Sequence, residues 1–216
     1  MTLVVAQRVG SLIAVVSDTG VMKHGERLPF EQGIPKIGIL TRDLAVAFAG
    51  DPDLAKLHIR CLPEGADYQI TVDLLLKCHI EANYHVDYLV LCNQPEPKIV
   101  RISGGEASAV DTAWIGDKAA FEVFQRYRNS GPSLSVTSVL ENPLLMPSYE
   151  SETHPTNFTP QLVDSIRYVI NDPDIETVFG LWLAANNANG EFKYIDYALV
   201  LTERLRWTPS AGQESG

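Results

Sequence analysis

Residues 1–20 read MTLVVAQRVGSLIAVVSDTG. Two short, β-branched-rich runs, 2–9 (TLVVAQRV) and 11–17 (SLIAVVS), flank Gly10-Ser11, which reads as a hairpin turn. The second run ends at Asp18, and a threonine stands directly behind the initiator methionine. Thr2 is either an ordinary strand residue at a chain end or the future first residue of a trimmed chain. In the second case it would carry a hydroxyl nucleophile and a free α-amine together.

The chain continues in the same grammar. Residues 18–35 hold three glycines and two prolines among many charges, and read as a long loop or an irregular strand pair. Residues 36–40 (KIGIL) and 44–50 (LAVAFAG) form a second hairpin turning through Thr41-Arg42-Asp43. Asp51-Pro52-Asp53 starts a helix to about Cys61, with the acid and the proline suited to a first turn. Asp67-Tyr68 or Thr71 opens another, with Val72, Leu75, Leu76, His79 and Ile80 at helical spacing. Strands are expected over 85–93, 97–102 and 110–115. Gly116-Asp117 leads into a helix over 118–129, whose Phe121, Phe124 and Tyr127 make a core stripe.

Residues 130–157 are rich in Ser, Pro and Thr and read as an insertion between two helices. A helix over 158–171 follows, then strands over 178–185 and 191–201 joined by NNANG, whose Asn-Gly is a strong hairpin signal. The end from Thr208 reads as a flexible tail, 208–216. Hairpins alternating with helix pairs predict an α+β fold of layered sheets, in a single domain over 1–207. No internal repeat is visible.

Composition narrows the function. The chain has 216 residues, 45% of them apolar and 20% charged, enough to bury a full core. A formal charge of −10 argues against a phosphate-backbone or anionic-membrane binder, which needs a clustered positive face. No run approaches the length of a membrane-crossing helix. The start lacks a basic leader, and Arg8 and Gly10 interrupt its apolar run, so a signal peptide is not expected and a cytoplasmic location is. Cys61, Cys78 and Cys92 lack metal or disulfide spacing and read as core thiols. His58/Cys61 and Cys78-His79 are too scattered for a zinc site, so no metal or other cofactor is expected. Ser103-Gly104-Gly105 reads as a turn, not a phosphate loop. The Asn157-Phe158-Thr159 sequon has meaning only in a secreted protein.

A terminal threonine needs helpers. Its α-amine titrates at about 7.7–8.0 and accepts a proton near neutral pH. A nearby lysine lowers that value, an aspartate holds the lysine, and a backbone N–H receives the oxyanion. Asp18, Lys36 and Gly50 each stand at the end of an expected strand, where such partners can meet.

The stretches TLVVAQRVGSLIAVVSD, PKIGIL, LAVAFAGD, WIGDKAAFEVF and DIETVFGLWLAA occur in this order over nearly the whole chain. In that order the chain resembles the proteasome β-subunits and the related bacterial HslV-type peptidases, a group of N-terminal nucleophile hydrolases. The resemblance implies a four-layer αββα sandwich of two antiparallel sheets flanked by helix pairs. It implies Thr2 as nucleophile after Met1 removal, Asp18 orienting Lys36, Lys36 as catalytic lysine and Gly50 as oxyanion donor. Asp117 falls where the family usually has a serine near the terminal amine. Asp174 and Thr177 fall where it has an aspartate and a serine supporting that amine. Phe48 falls at the floor of the substrate pocket and would favour small or medium apolar side chains; Gly20, where an arginine is common, falls at the same pocket. The chain departs from the pattern also at Leu3, at Thr177-Val178, in a two-residue-longer loop before Lys36, and in the 130–157 insertion. Asp117 in place of serine would raise the amine's pKa.

The resemblance further implies peptide or unfolded-protein substrates, a homo-oligomeric ring and an ATP-dependent unfoldase as partner, with neither nucleic acid nor membrane involved. Two other readings stand beside this one. The chain is an N-terminal nucleophile amidase acting on small amides, or a catalytically inactive proteasome-like scaffold subunit. A start directly in the first strand is unlike the structural α-type subunits, which carry a leading helical extension.

Overall fold

The computed structural model describes residues 2–23, 25–29, 32–130 and 158–197. The opening hairpin is β1 (Leu3–Val9) and β2 (Leu12–Asp18), paired antiparallel with Val4 opposite Ser17 and Val9 opposite Leu12. Gly10 turns between them at φ 61, a left-handed value that suits glycine. Residues 18–35 contain the small pair β3 (Met22–Lys23) and β4 (Glu26–Arg27). The second hairpin is β5 (Ile37–Thr41) and β6 (Leu44–Gly50).

Helix α1 (Pro52–Arg60) begins where the Asp51 carboxylate accepts from the N–H groups of Asp53 and Leu54 at 2.8 and 3.1 Å. Helix α2 (Tyr68–Glu81) begins in the same way, with Asp67 accepting from Ile70 N–H at 2.8 Å. Each cap satisfies donors that the first turn leaves without a helical partner. After them come β7 (Val86–Cys92), β8 (Lys98–Ser103), β9 (Glu106–Val110) and β10 (Thr112–Gly116). Helices α3 (Lys118–Ser130) and α4 (Phe158–Asn171) precede β11 (Trp182–Asn186) and β12 (Lys193–Tyr197).

The fold is mixed α+β. One five-stranded sheet runs β10-β1-β2-β11-β12 and a second runs β5-β6-β7-β8-β9, with every pairing antiparallel. Strand alternation divides the apolar side chains. Val4, Ala6, Ile13 and Val15 cluster with Ala45, Ala47, Leu89 and Leu91 of the other sheet. Leu3, Val5, Ala14 and Val16 cluster instead with Phe124, Leu162 and Ile166 of α3 and α4. Val46, Phe48 and Val90 cluster with Ala55, Ile59 and Leu75 of α1 and α2. At the turn end of the first hairpin a buried amide ties the two sheets. Asn187 accepts from Ile13 N–H at 2.6 Å and donates to Ser11 C=O at 3.0 Å and to Asn93 Oδ1 at 2.7 Å. Thr2 and Asp18 lie at the other end of β1 and β2.

Three expectations change. The single strand over 110–115 is two strands separated by Asp111; β9 lies at the edge of the second sheet and β10 at the edge of the first. Most of β9 is exposed, so it has no apolar alternation to announce it. The strand expected from Val178 begins at Trp182, because residues 172–181 take no regular structure. The last segment of that irregular stretch is tied to Thr19: Leu181 N–H donates to Thr19 Oγ1 at 2.9 Å, and Thr19 N–H donates to Leu181 C=O at 2.8 Å. The strand expected over 191–201 is described as Lys193–Tyr197. The 131–157 part of the insertion and the 208–216 tail lie outside the described residues. Among the described residues, no helix is long and apolar enough to cross a membrane.

Candidate active site

The antiparallel register of β1 and β2 sets Thr2 beside Asp18. Leu3 N–H donates to Asp18 Oδ1 at 3.0 Å and Gly20 N–H to Asp18 Oδ2 at 3.1 Å, which fixes the carboxylate. Lys36, one residue before β5, reaches the same point from the second sheet. Its Nζ donates to Asp18 Oδ2 at 2.8 Å, to Gly20 C=O at 2.6 Å, and to Thr2 Oγ1. Those three bonds use every proton of an ammonium. Thr2 Oγ1 in turn donates to Asp18 Oδ1. All three side chains are withdrawn from water: Thr2 is 2% exposed, Asp18 0% and Lys36 4%.

Burial is the largest influence on Lys36 and pushes its pKa below the ordinary lysine value; the charge and hydrogen bond of Asp18 oppose it. A lysine so placed is a proton acceptor of reduced basicity when neutral and a strong local field when charged. In either state it bears directly on the Thr2 hydroxyl, whose oxygen it touches.

The main chain of Thr2 is held from the other side. Asp117 N–H donates to Thr2 C=O at 2.7 Å. Asp117 also caps the first turn of α3, its Oδ1 accepting from Ala120 N–H at 3.1 Å, and its Oδ2 accepts from Thr177 Oγ1. Gly116 makes this approach possible. It sits at φ 104, and a Cβ there would lie 1.9 Å from Thr2 C=O. Gly116→Ala is therefore expected to destabilise the fold by about 3 kcal/mol or more, with melting lowered by roughly 6–12 °C. Thermal unfolding followed by circular dichroism checks this; a wild-type melting point would show that the contact yields cheaply.

Of the nine residues expected at the site, six converge: Thr2, Asp18, Lys36, Asp117 and Thr177 through their side chains, and Gly20 through its main chain. Gly50 ends β6 at φ 117, directly ahead of α1, and a Cβ there would lie 2.1 Å from His85 C=O. Only glycine suits that position. Asp174 lies apart on an exposed turn, where its N–H donates to the Asp172 carboxylate at 2.9 Å. Among the described residues its side chain has no hydrogen bond to Thr2, Asp117 or Thr177. Gly20 opens no space of its own, since a Cβ there would meet Phe179 C=O at 2.6 Å and the Phe179 ring at 2.8 Å. The Phe48 ring is 1% exposed, packed in the cluster that joins the second sheet to α1 and α2, while its N–H donates to Lys36 C=O at 3.0 Å.

Three parts of the site lie outside the expectations from sequence: Gly116, Gly20 C=O as an acceptor for Lys36, and the Phe179 ring. Gly116 had a signal, a glycine between a strand and a helix; the other two had none. The histidines set aside as ligands serve the framework. His58 Nδ1 bonds Tyr88 OH at 2.6 Å, and His79 bonds Val86 C=O at 2.7 Å and Gly105 N–H at 3.0 Å. Among the described residues, no three His, Cys, Asp or Glu side chains group as metal ligands.

A scan against protein-family models gives no match, and a search of curated proteins gives no significant match.

Proposed function

We propose that this chain is a threonine peptidase of the proteasome-like, N-terminal nucleophile class. The observation that carries the reading is Thr2 Oγ1 held between the buried Lys36 ammonium and the buried Asp18 carboxylate. The distribution of apolar clusters, one between the sheets and one under each pair of helices, is the pattern that a four-layer αββα sandwich requires.

On this reading the mature chain begins at Thr2. Its Oγ1 attacks the carbonyl carbon of a peptide bond, and the hydroxyl proton passes to the α-amine. The oxyanion is received by the N–H of Gly50. The protonated amine then delivers its proton to the departing peptide nitrogen, leaving an ester on Thr2, which water hydrolyses with the amine again as base. Lys36 keeps the amine's pKa down by like charge, and Asp18 keeps Lys36 in place. Phe48 lies under the pocket for the residue before the cleaved bond. Subunits assemble as a cytoplasmic ring that encloses the sites, and an ATP-dependent unfoldase delivers substrate.

One observation favours a second reading. Thr2 is only 2% exposed, which suits a chain that uses the Thr2–Asp18–Lys36 cluster to lock its sheets as a non-catalytic subunit. A panel of fluorogenic peptides and small acyl amides separates the possibilities. Turnover of peptides is the expected result. Turnover of small amides alone makes the chain an amidase, and no turnover of either makes it a scaffold.

A further inference from the structure

We propose that Arg27, on the β3–β4 hairpin, is a positioning residue for Thr2 and Lys36. The hairpin, inside the glycine- and proline-rich stretch before Lys36, has no role in the site as described. Arg27 Nε donates to Glu176 C=O at 2.9 Å, and Arg27 Nη2 to Ile175 C=O at 3.4 Å. Its guanidinium carbon lies 5.0 Å from the centre of the Phe179 ring. All three contacts fall on residues 175–179, inside the irregular stretch 172–181. Carbonyls in such a stretch have no sheet ladder to satisfy them, so a planar fork that takes two at once sets the path of the chain.

Two lines run from this segment into the site. Thr177 follows the clamped carbonyls directly and donates to Asp117, whose N–H holds Thr2 C=O at 2.7 Å. Phe179, under the guanidinium, presses on Gly20, whose C=O accepts from Lys36 at 2.6 Å and whose N–H donates to Asp18 at 3.1 Å. The first line places the nucleophile's main chain and the second places its lysine. An arginine that merely decorated the surface would have no reason to reach both.

The activity arm of the test rests on Thr2 being a live nucleophile; the other arm does not. In the full chain, Arg27→Ala is compared with Arg27→Lys, Thr177→Val and the double variant Arg27→Ala/Thr177→Val. Amide hydrogen exchange at Asp117 and Leu181 is expected to quicken about five- to tenfold in Arg27→Ala, the scale of one lost hydrogen bond. Arg27→Lys recovers only part, because one ammonium does not match the two-point fork. The rate at which a peptide epoxyketone forms its ring adduct with the Thr2 hydroxyl and amine falls by a similar factor with little change in half-saturating concentration. In the Thr177→Val background, Arg27→Ala adds little at Asp117, since the two residues act in one line. Unchanged exchange at Asp117 in Arg27→Ala, or fully additive effects in the double variant, overturns the proposal. If the wild-type chain takes no epoxyketone while the exchange coupling holds, the nucleophile reading has failed and the positioning role of Arg27 stands.

Discussion

Lys36→Met is expected to lose hydrolysis by about 10²–10⁴-fold and to lower stability at the same time. The side chains are similar in length, so the packing between the sheets survives. The cation does not. Asp18, with its side chain 0% exposed, would keep its bonds from Leu3 and Gly20 and lose its ionic partner. Removing one member of a buried pair strands the other charge and costs about 3–5 kcal/mol. The corresponding fall in melting temperature is roughly 10 °C for a domain of this size. Steady-state turnover and thermal unfolding on the same preparation check both parts. Full activity would remove Lys36 from the chemistry. An unchanged melting point would mean that the Lys36–Asp18 pair does not hold the fold.

Thr2→Ala is expected to separate those two effects. Alanine is small, so removal of Met1 proceeds as for threonine, and the terminal amine is retained. Asp18 keeps Lys36, Leu3 and Gly20 as partners. The stability change is therefore about 1 kcal/mol, the scale of one lost hydroxyl and methyl. Hydrolysis falls to background, because among the described residues no other hydroxyl is hydrogen-bonded to Lys36. Residual turnover above background in this variant would place the nucleophile elsewhere.

How far the sequence alone reaches depends on the kind of contact. The first two hairpins, the caps of α1 and α2, and the α+β class follow from turn glycines, alternation and Asp51 and Asp67, all of which act locally. Thr2, Asp18 and Lys36 were readable as a set because each stands at a strand end and because their order resembles a known pattern. The exposed strand β9 was not readable, since half of an alternating signal disappears when an edge strand faces water on both sides. Val178 and Phe179 have strand-like side chains, yet the main chain flanking them, at Glu176 and Leu181, bonds Arg27 and Thr19 instead of a neighbouring strand, so β11 starts later than the sequence pattern suggests. Asp174 shows the limit of transfer by resemblance. Asp172 takes its N–H and keeps it on the surface, while Asp117 carries the link to Thr177. Arg27 had no signal, for its partners are carbonyls about 150 positions away and any residue offers a carbonyl.

The intact mass of the purified protein, with and without a peptide epoxyketone, tests the Thr2 chemistry most directly. That reagent closes a ring using both a terminal amine and the adjacent hydroxyl, so it reports on the two groups together. A chain lacking Met1 that gains one adduct per subunit, and gains none in Thr2→Ala, is the predicted result. Retention of Met1, or a trimmed chain that never takes the adduct, would contradict it.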